Sequence, residues 1–199
     1  DSLLEFSEVL SFSLSNPVNA ALGATAATTV TILDSSPTES PTVDASHFSN
    51  PIRGSSPSSR NFWGQYGNET VTLTFTDLGP HQQVQISFDL FIIRSWDGNG
   101  FEELSPDIWQ VDIDDSVLLR TTFSNWDSED RRVNQSYPRS YPGGDLPART
   151  GASEVGTLEF GHETIRNMDS VYQMMFTVSH DAPTLRINFT GEGLQSIDD

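Results

Sequence analysis

Residues 84–115, VQISFDLFIIRSWDGNGFEELSPDIWQVDIDD, decide how this chain folds. Val84, Ile86, Phe88, Leu90 and Ile92 fall at every second position, the period of a strand with one buried face. The pattern breaks at an acidic turn, Asp97-Gly98-Asn99-Gly100, followed by Glu102 and Glu103. A second alternation of Trp109, Val111 and Ile113 ends among Asp112, Asp114 and Asp115. Two apolar strands joined by a carboxylate-rich loop predict a β-sandwich with a candidate cation site at its rim.

The same period recurs on either side. Val71, Leu73 and Phe75 alternate with threonines, and Asp77-Leu78-Gly79-Pro80 closes that strand. Val117 to Phe123 reads as the hairpin partner of the Trp109 strand across Asp114-Asp115. Tyr172, Met174, Phe176 and Val178 form another strand, His180 to Pro183 turns, and Leu185, Ile187 and Phe189 form the last clear one. No segment keeps a helical period. Short strands with turn signals between them predict an all-β antiparallel sandwich over residues 61–199, most simply a jelly roll.

Composition narrows the partners. Twenty-eight acids against ten bases give a formal charge of −18, and all ten bases are arginine. Such a surface repels nucleic acid and anionic lipid, leaving divalent cations, basic proteins and neutral glycans. Acidity without lysine suits a saline medium, where screening removes self-repulsion; drift in base composition is the plainer cause. The chain has no cysteine, so stability comes from core size or bound ions. No run of 18 apolar residues and no signal-like start occurs. Asp1 opens in mid-pattern, as expected for part of a longer precursor.

Residues 1–35 hold two strand-like runs separated by an Asn-Pro turn. Their landmarks are Asp1, Leu3, Glu5, Glu8, Phe12, Leu14, Ser15, Asn16, Pro17, Gly23, Thr29, Thr31, Ile32 and Asp34. This order resembles the second half of a Calx-beta repeat, over about a sixth of the chain. The resemblance implies a partial immunoglobulin-like sandwich whose first half is absent, so that a neighbour must cover its open edges. Calx-beta modules form tandem arrays in adhesion and surface proteins, and some bind calcium. Residues 36–60, rich in Ser, Pro and Thr, read as an extended linker, or else Val43 to Phe48 supplies a first strand. The 61–199 region resembles a domain of secreted, multi-domain surface proteins of marine and environmental microbes. The matching stretches are FDLFIIRSWDGN at 88–99, PDIW at 106–109, TTFSN at 121–125, QSYP at 135–138, PARTGA at 147–152 and GLQSI at 193–197. That resemblance implies no catalytic activity.

Calcium is the best-motivated ligand, because a Gly-bent loop of Asp, Asn and Glu supplies the oxygens it needs. Asp97, Asn99 and Glu102 share the loop, with Asp107 or Asp112 approaching from the next strand; a solvated acidic turn is the bland alternative. Residues 124–157 form a long aperiodic segment. It carries Trp126, Arg131, Arg132, Tyr137, Arg139, Tyr141 and Arg149, a contact surface for a glycan or protein partner unless its Tyr-Pro pairs simply fold it onto the sheet. Asn68, Asn134 and Asn188 head glycosylation sequons, which are informative only in a secreted eukaryotic chain.

Catalytic signatures are poor. Glu159-Phe160-Gly161-His162-Glu163 lacks both the paired-carboxylate spacing of jelly-roll glucanases and the HExxH of metalloproteases, and no nucleophile elbow or phosphate loop occurs. The sequence therefore reads as a non-catalytic extracellular structural or adhesion module of a larger surface or filament protein, calcium-stabilised and held to neighbouring domains or subunits. A carbohydrate-binding module is the alternative, with Trp63, Tyr66, Trp96 and Trp126 as stacking residues. A glycan hydrolase would require a cleft with paired carboxylates.

Overall fold

The computed structural model describes residues 42–100, 106–127, 132–162 and 165–194, together with the backbone of four short strands between residues 8 and 32. Those four are β1 (Glu8–Leu10), β2 (Leu14–Ser15), β3 (Ala20–Leu22) and β4 (Val30–Ile32). The strands that follow are β5 (Arg53–Ser55), β6 (Asn61–Trp63), β7 (Thr70–Phe75), β8 (Gln83–Ile93), β9 (Ile108–Ile113) and β10 (Ser116–Thr122). The chain ends with β11 (Glu154–Val155), β12 (Asp169–Ser179) and β13 (Leu185–Glu192). Among the described residues one 3-10 turn occurs, Ala45–His47, capped by Asp44, whose carboxylate accepts from the Ser46 hydroxyl and amide.

Two sheets stack face to face, one in the order β10-β9-β13-β7, the other built on β8 and β12. The pairing is nested. β7 lies antiparallel to β13 in one sheet, and β8 lies antiparallel to β12 along its full length in the other. First with last and second with second-last is the wrapping of a jelly roll. β9 and β10 form the expected hairpin, with a bulge between Val117 and Leu119.

Alternation creates the core. Val84, Ile86, Phe88, Leu90 and Ile92 of β8 are all buried, and they meet Trp109, Val111, Ile187 and Phe189 of the facing sheet. Phe88 lies 5.3 Å edge-on to Phe189 and 6.1 Å from Trp109, spacings at which aromatic rings attract beyond simple area burial. Across the sheet, Met174 and Phe176 sit opposite Phe88 and Ile86.

The pattern changes within β8. Gln85, Ser87 and Asp89 are only partly buried, but Phe91 and Ile93, on the same outward side, have no exposed surface. Phe62 covers them: it meets Phe91 edge-on at 6.4 Å and Phe160 at 6.3 Å. Arg60 lays its guanidinium 4.5 Å over the Phe91 ring. Residues 42–60 therefore do not run free as the expected linker. Phe48 is buried and bridges to Leu73, Ser49 donates to the Thr72 carbonyl at 2.9 Å, and β5 pairs with β6. The turn at Ala45–His47 replaces the strand considered for Val43 to Phe48. At the other end of the chain, β3 and β4 lie antiparallel to β8, with Val30 opposite Ile86 and Ala20 opposite Ile92.

Candidate functional site

The acidic loop is held from inside. Asp97 and Asp107 are both buried, and the Asp97 amide donates to the Asp107 carboxylate. Gly100 donates to the Asp97 carbonyl at 2.9 Å, and Asp107 to the Gly98 carbonyl at 3.1 Å. Gly98 adopts φ +54°, and a Cβ there would run into the Asn134 carbonyl, so the turn requires glycine on both counts. Asn99 faces inward: its Oδ1 accepts from Thr122 and, at 2.8 Å, from the Ser136 hydroxyl, while its amide donates to the Gly144 carbonyl at 3.1 Å.

Of the five expected cation ligands, the fold brings Asp97, Asn99 and Asp107 together. Glu102 lies outside the described residues. Asp112 belongs elsewhere: it is five residues along extended chain from Asp107, roughly 16 Å away. Its carboxylate accepts from the Gln110 amide at 2.9 and 3.1 Å on the outer face of β9. Asn99 is also the wrong kind of ligand, because two hydroxyls already take its oxygen. Among the described residues, no three His, Asp or Glu side chains gather into a metal-holding group.

The 124–157 segment is fastened down by a residue that sequence reasoning missed. Gln135 is fully buried. Its Oε1 accepts from the Ser124 amide at 3.1 Å, the Arg149 amide at 2.9 Å and the Tyr172 hydroxyl at 3.3 Å. Its amide donates to the carbonyls of Tyr137 at 3.2 Å and Thr150 at 3.0 Å. One side chain thus ties four points of the loop to β12. Asn125 repeats the device, donating to the Ile92 and Arg94 carbonyls and accepting from Ser170 at 2.7 Å. Nothing in the local sequence marks these amides, because every partner is distant or irregular backbone.

The residues expected to form a contact surface divide accordingly. Trp126 is buried with Val133 and Met168. Tyr137 packs against Phe123 and Tyr172 at 4.9 and 5.1 Å, and burial pushes both tyrosine hydroxyls above their ordinary pKa. Tyr141 is half-buried, its amide bonded to the Arg120 carbonyl. Arg149 is half-buried, its amide serving Gln135. Arg132 and Arg139 remain exposed, and Arg131 lies outside the described residues. The stacking row considered for a glycan is not available, since Tyr66, Trp96 and Trp126 are buried. Trp63 is half-buried between Phe48 and the Arg53 guanidinium, 4.0 Å above its ring.

The three sequon asparagines all hydrogen-bond within the chain. Asn68 exchanges bonds with the Leu194 backbone, Asn134 donates to Asp145, and Asn188 donates to the Asp114 carbonyl and accepts from Thr72. An open groove of about 320 Å³ lined by Ser46, His47, Thr74, Phe75, Thr76 and Leu78 carries one histidine and no carboxylate.

Two acids sit under the cover of β8. Asp169 is fully buried, and its carboxylate accepts from the Leu158 and Phe160 amides at 3.1 Å each, so it pins the loop that covers the outer face. Burial raises its pKa, against the opposing pull of those amides and Arg149. Asp89 is likewise raised by burial, opposed by Arg60 and reinforced by Glu154. Arg60 joins the two, 4.0 Å from Asp89 and 2.9 Å from Glu154.

No family model, no curated protein and no solved structure matches this chain.

Two predictions follow from the polar groups. Gln135→Ala strands the Ser124 and Arg149 amides, at about 1–3 kcal/mol each. Urea unfolding of the variant is expected to show that loss, and hydrogen exchange to show faster exchange at the Ser124 and Arg149 amides while β8 stays protected. For the acids, a folded pKa above the unfolded one gives stability that is full below the unfolded value and is lost as pH rises through the folded one. The urea midpoint is therefore expected to fall as pH rises from the ordinary carboxylate value of about 4 toward about 7, and Asp89→Asn to reduce that fall. A midpoint rising with pH contradicts this.

Proposed function

We propose that this chain is a non-catalytic structural module of an extracellular surface assembly, joined to neighbouring domains or subunits. The observation that carries the reading is the use made of the 124–157 segment. Tyr137 and the Gln135 amide turn into the sandwich, and Trp126 turns into a second small cluster with Val133 and Met168, so the feature that resembled a recognition loop reinforces a rigid body. A spacer needs that rigidity; a glycan platform needs its aromatic rings outside. The acidic exterior adds solubility in saline surroundings.

Calcium belongs to this proposal through Asp97 and Asp107, buried acids linked where the Asp97 amide donates to the Asp107 carboxylate. An ion bound there would take its remaining oxygens from the loop backbone and water.

The test is a melting curve with calcium and with chelator. At a calcium concentration about a hundredfold above Kd, binding adds about 2.7 kcal/mol. For a chain of this size that raises Tm by roughly 5–10 °C. The gain is expected to vanish in Asp97→Asn/Asp107→Asn. Identical curves with and without calcium would remove the ion from the proposal.

A further inference from the structure

The larger sheet ends on an open edge. β12 gives one side to β8 over all eleven residues, but β11 covers its other side only at Ser170 and Val171. The carbonyls of Asp169 and Val171 accept from Gly156 and Ser153, on the β11 side, whereas those of Met168 and residues in step with it face β8. Backbone groups alternate along a strand, so the amides and carbonyls of Gln173, Met175, Thr177 and Ser179 point outward from the sheet. Among the described residues no strand pairs with them. Their side chains are exposed, Met175 by 67%.

Natural sheets usually blunt such an edge with charge, proline, a bulge or a covering loop. The other sheet does so: residues 136–141 cap β10 at Arg120 and Thr122, and Ser49 caps β7 at Thr72. Here none is present among the described residues. The window Gln173–Ser179, QMMFTVS, holds no charged residue, proline or glycine in a chain of net charge −18.

We infer that this edge pairs with the same edge of a second copy, β12 against β12, to make one continuous sheet across a two-fold axis. β11 bounds the window on one side and the turn after Ser179 bounds it on the other. An antiparallel pairing that uses the whole window therefore has its axis through Phe176. Met175 then lies opposite Thr177 of the second copy, and Gln173 opposite Ser179. All of these carry outward backbone groups, so each pair exchanges two hydrogen bonds. On the inner face the two Phe176 rings meet, and Met174 meets Val178. Phe176 and Val178 are the half-buried margin of the core, and the second copy completes their burial. Aromatic and β-branched pairs of this kind favour a sheet interface.

Register selects the occupant: the window is its own complement about Phe176, and as an uncharged strip it is where two copies at −18 approach with least repulsion. Self-pairing must strengthen as salt screens the repulsion, whereas capture of a basic strand must weaken. The inference does not depend on calcium. It rests on the structural-module reading only in taking the partner to be another copy.

Sedimentation equilibrium of the full chain tests it, at low and high sodium chloride. The expected result is a monomer–dimer equilibrium that shifts toward dimer with salt. On raising the protein concentration, the Met175 and Thr177 amides should gain hydrogen-exchange protection. Met175→Asp/Thr177→Asp places like charges opposite one another and is expected to weaken the dimer about tenfold or more. Both side chains are exposed, so the Tm of the monomer, measured at low protein concentration and low salt, should change little. A strictly monomeric chain at every salt concentration, or a dimer unaffected by the double substitution, overturns the inference. Neither outcome alters the calcium melting curve, so the two readings fail separately.

Discussion

Four consecutive residues without exposed surface, Leu90-Phe91-Ile92-Ile93, impose the constraint to which the rest of the molecule answers. A strand shows its side chains to both faces of its sheet, so one apolar layer cannot shelter all four. The facing sheet takes Leu90 and Ile92. Phe91 and Ile93 need a second layer, supplied around Phe91 by Phe62, Phe160 and the guanidinium of Arg60. Phe62 stands on β6, while residues 158–160 are irregular chain with backbone groups that must find partners. Asp169 provides them there, and elsewhere Gln135 and Asn125 do the same for the irregular chain of residues 124–150. Burying these polar groups is tolerable because each lies within reach of several partners.

The arginine-only cation set fits the same layer. Guanidinium groups stack on rings and pair with carboxylates at once, which an ammonium does less well. Arg60 covers Phe91 while bonding Glu154, and Arg53 covers Trp63. Arg120 pairs with Glu192 across the other sheet at 2.8 Å. Three of the ten arginines, Arg53, Arg60 and Arg120, thus cover apolar rings or tie strands.

Much of the sandwich was legible because alternation is a local signal. Val71 to Phe75, Val84 to Ile92, Trp109 to Ile113 and Leu185 to Phe189 each show which side faces in. The hairpin at Asp114-Asp115 follows from spacing alone. The run at 90–93 is apolar on both faces, but the alternation reads as a strand with one buried face, and the second cover emerges only from the structure. What supplied the second cover was not legible. Phe48 is a single aromatic in the Ser-rich stretch that reads as a linker, Phe62 follows just after that stretch, and only long-range packing shows their use. The candidate site divides in the same way. Asp97 and Asp107 meet because a glycine turn brings them together, while Asp112 was grouped with them on sequence proximity that an extended strand turns into distance. Gln135 gave no signal, being a polar residue in a polar segment.

Phe91 tests the two-layer account most directly. If alternation alone governed β8, position 91 would be an outward surface site, and Phe91→Ala would change stability by no more than about 0.5 kcal/mol. With both faces covered, the substitution empties a packed site and is expected to cost about 3–5 kcal/mol by urea unfolding, comparable to Phe88→Ala on the inner face. A loss below about 1 kcal/mol at Phe91 beside a large one at Phe88 would contradict the second layer.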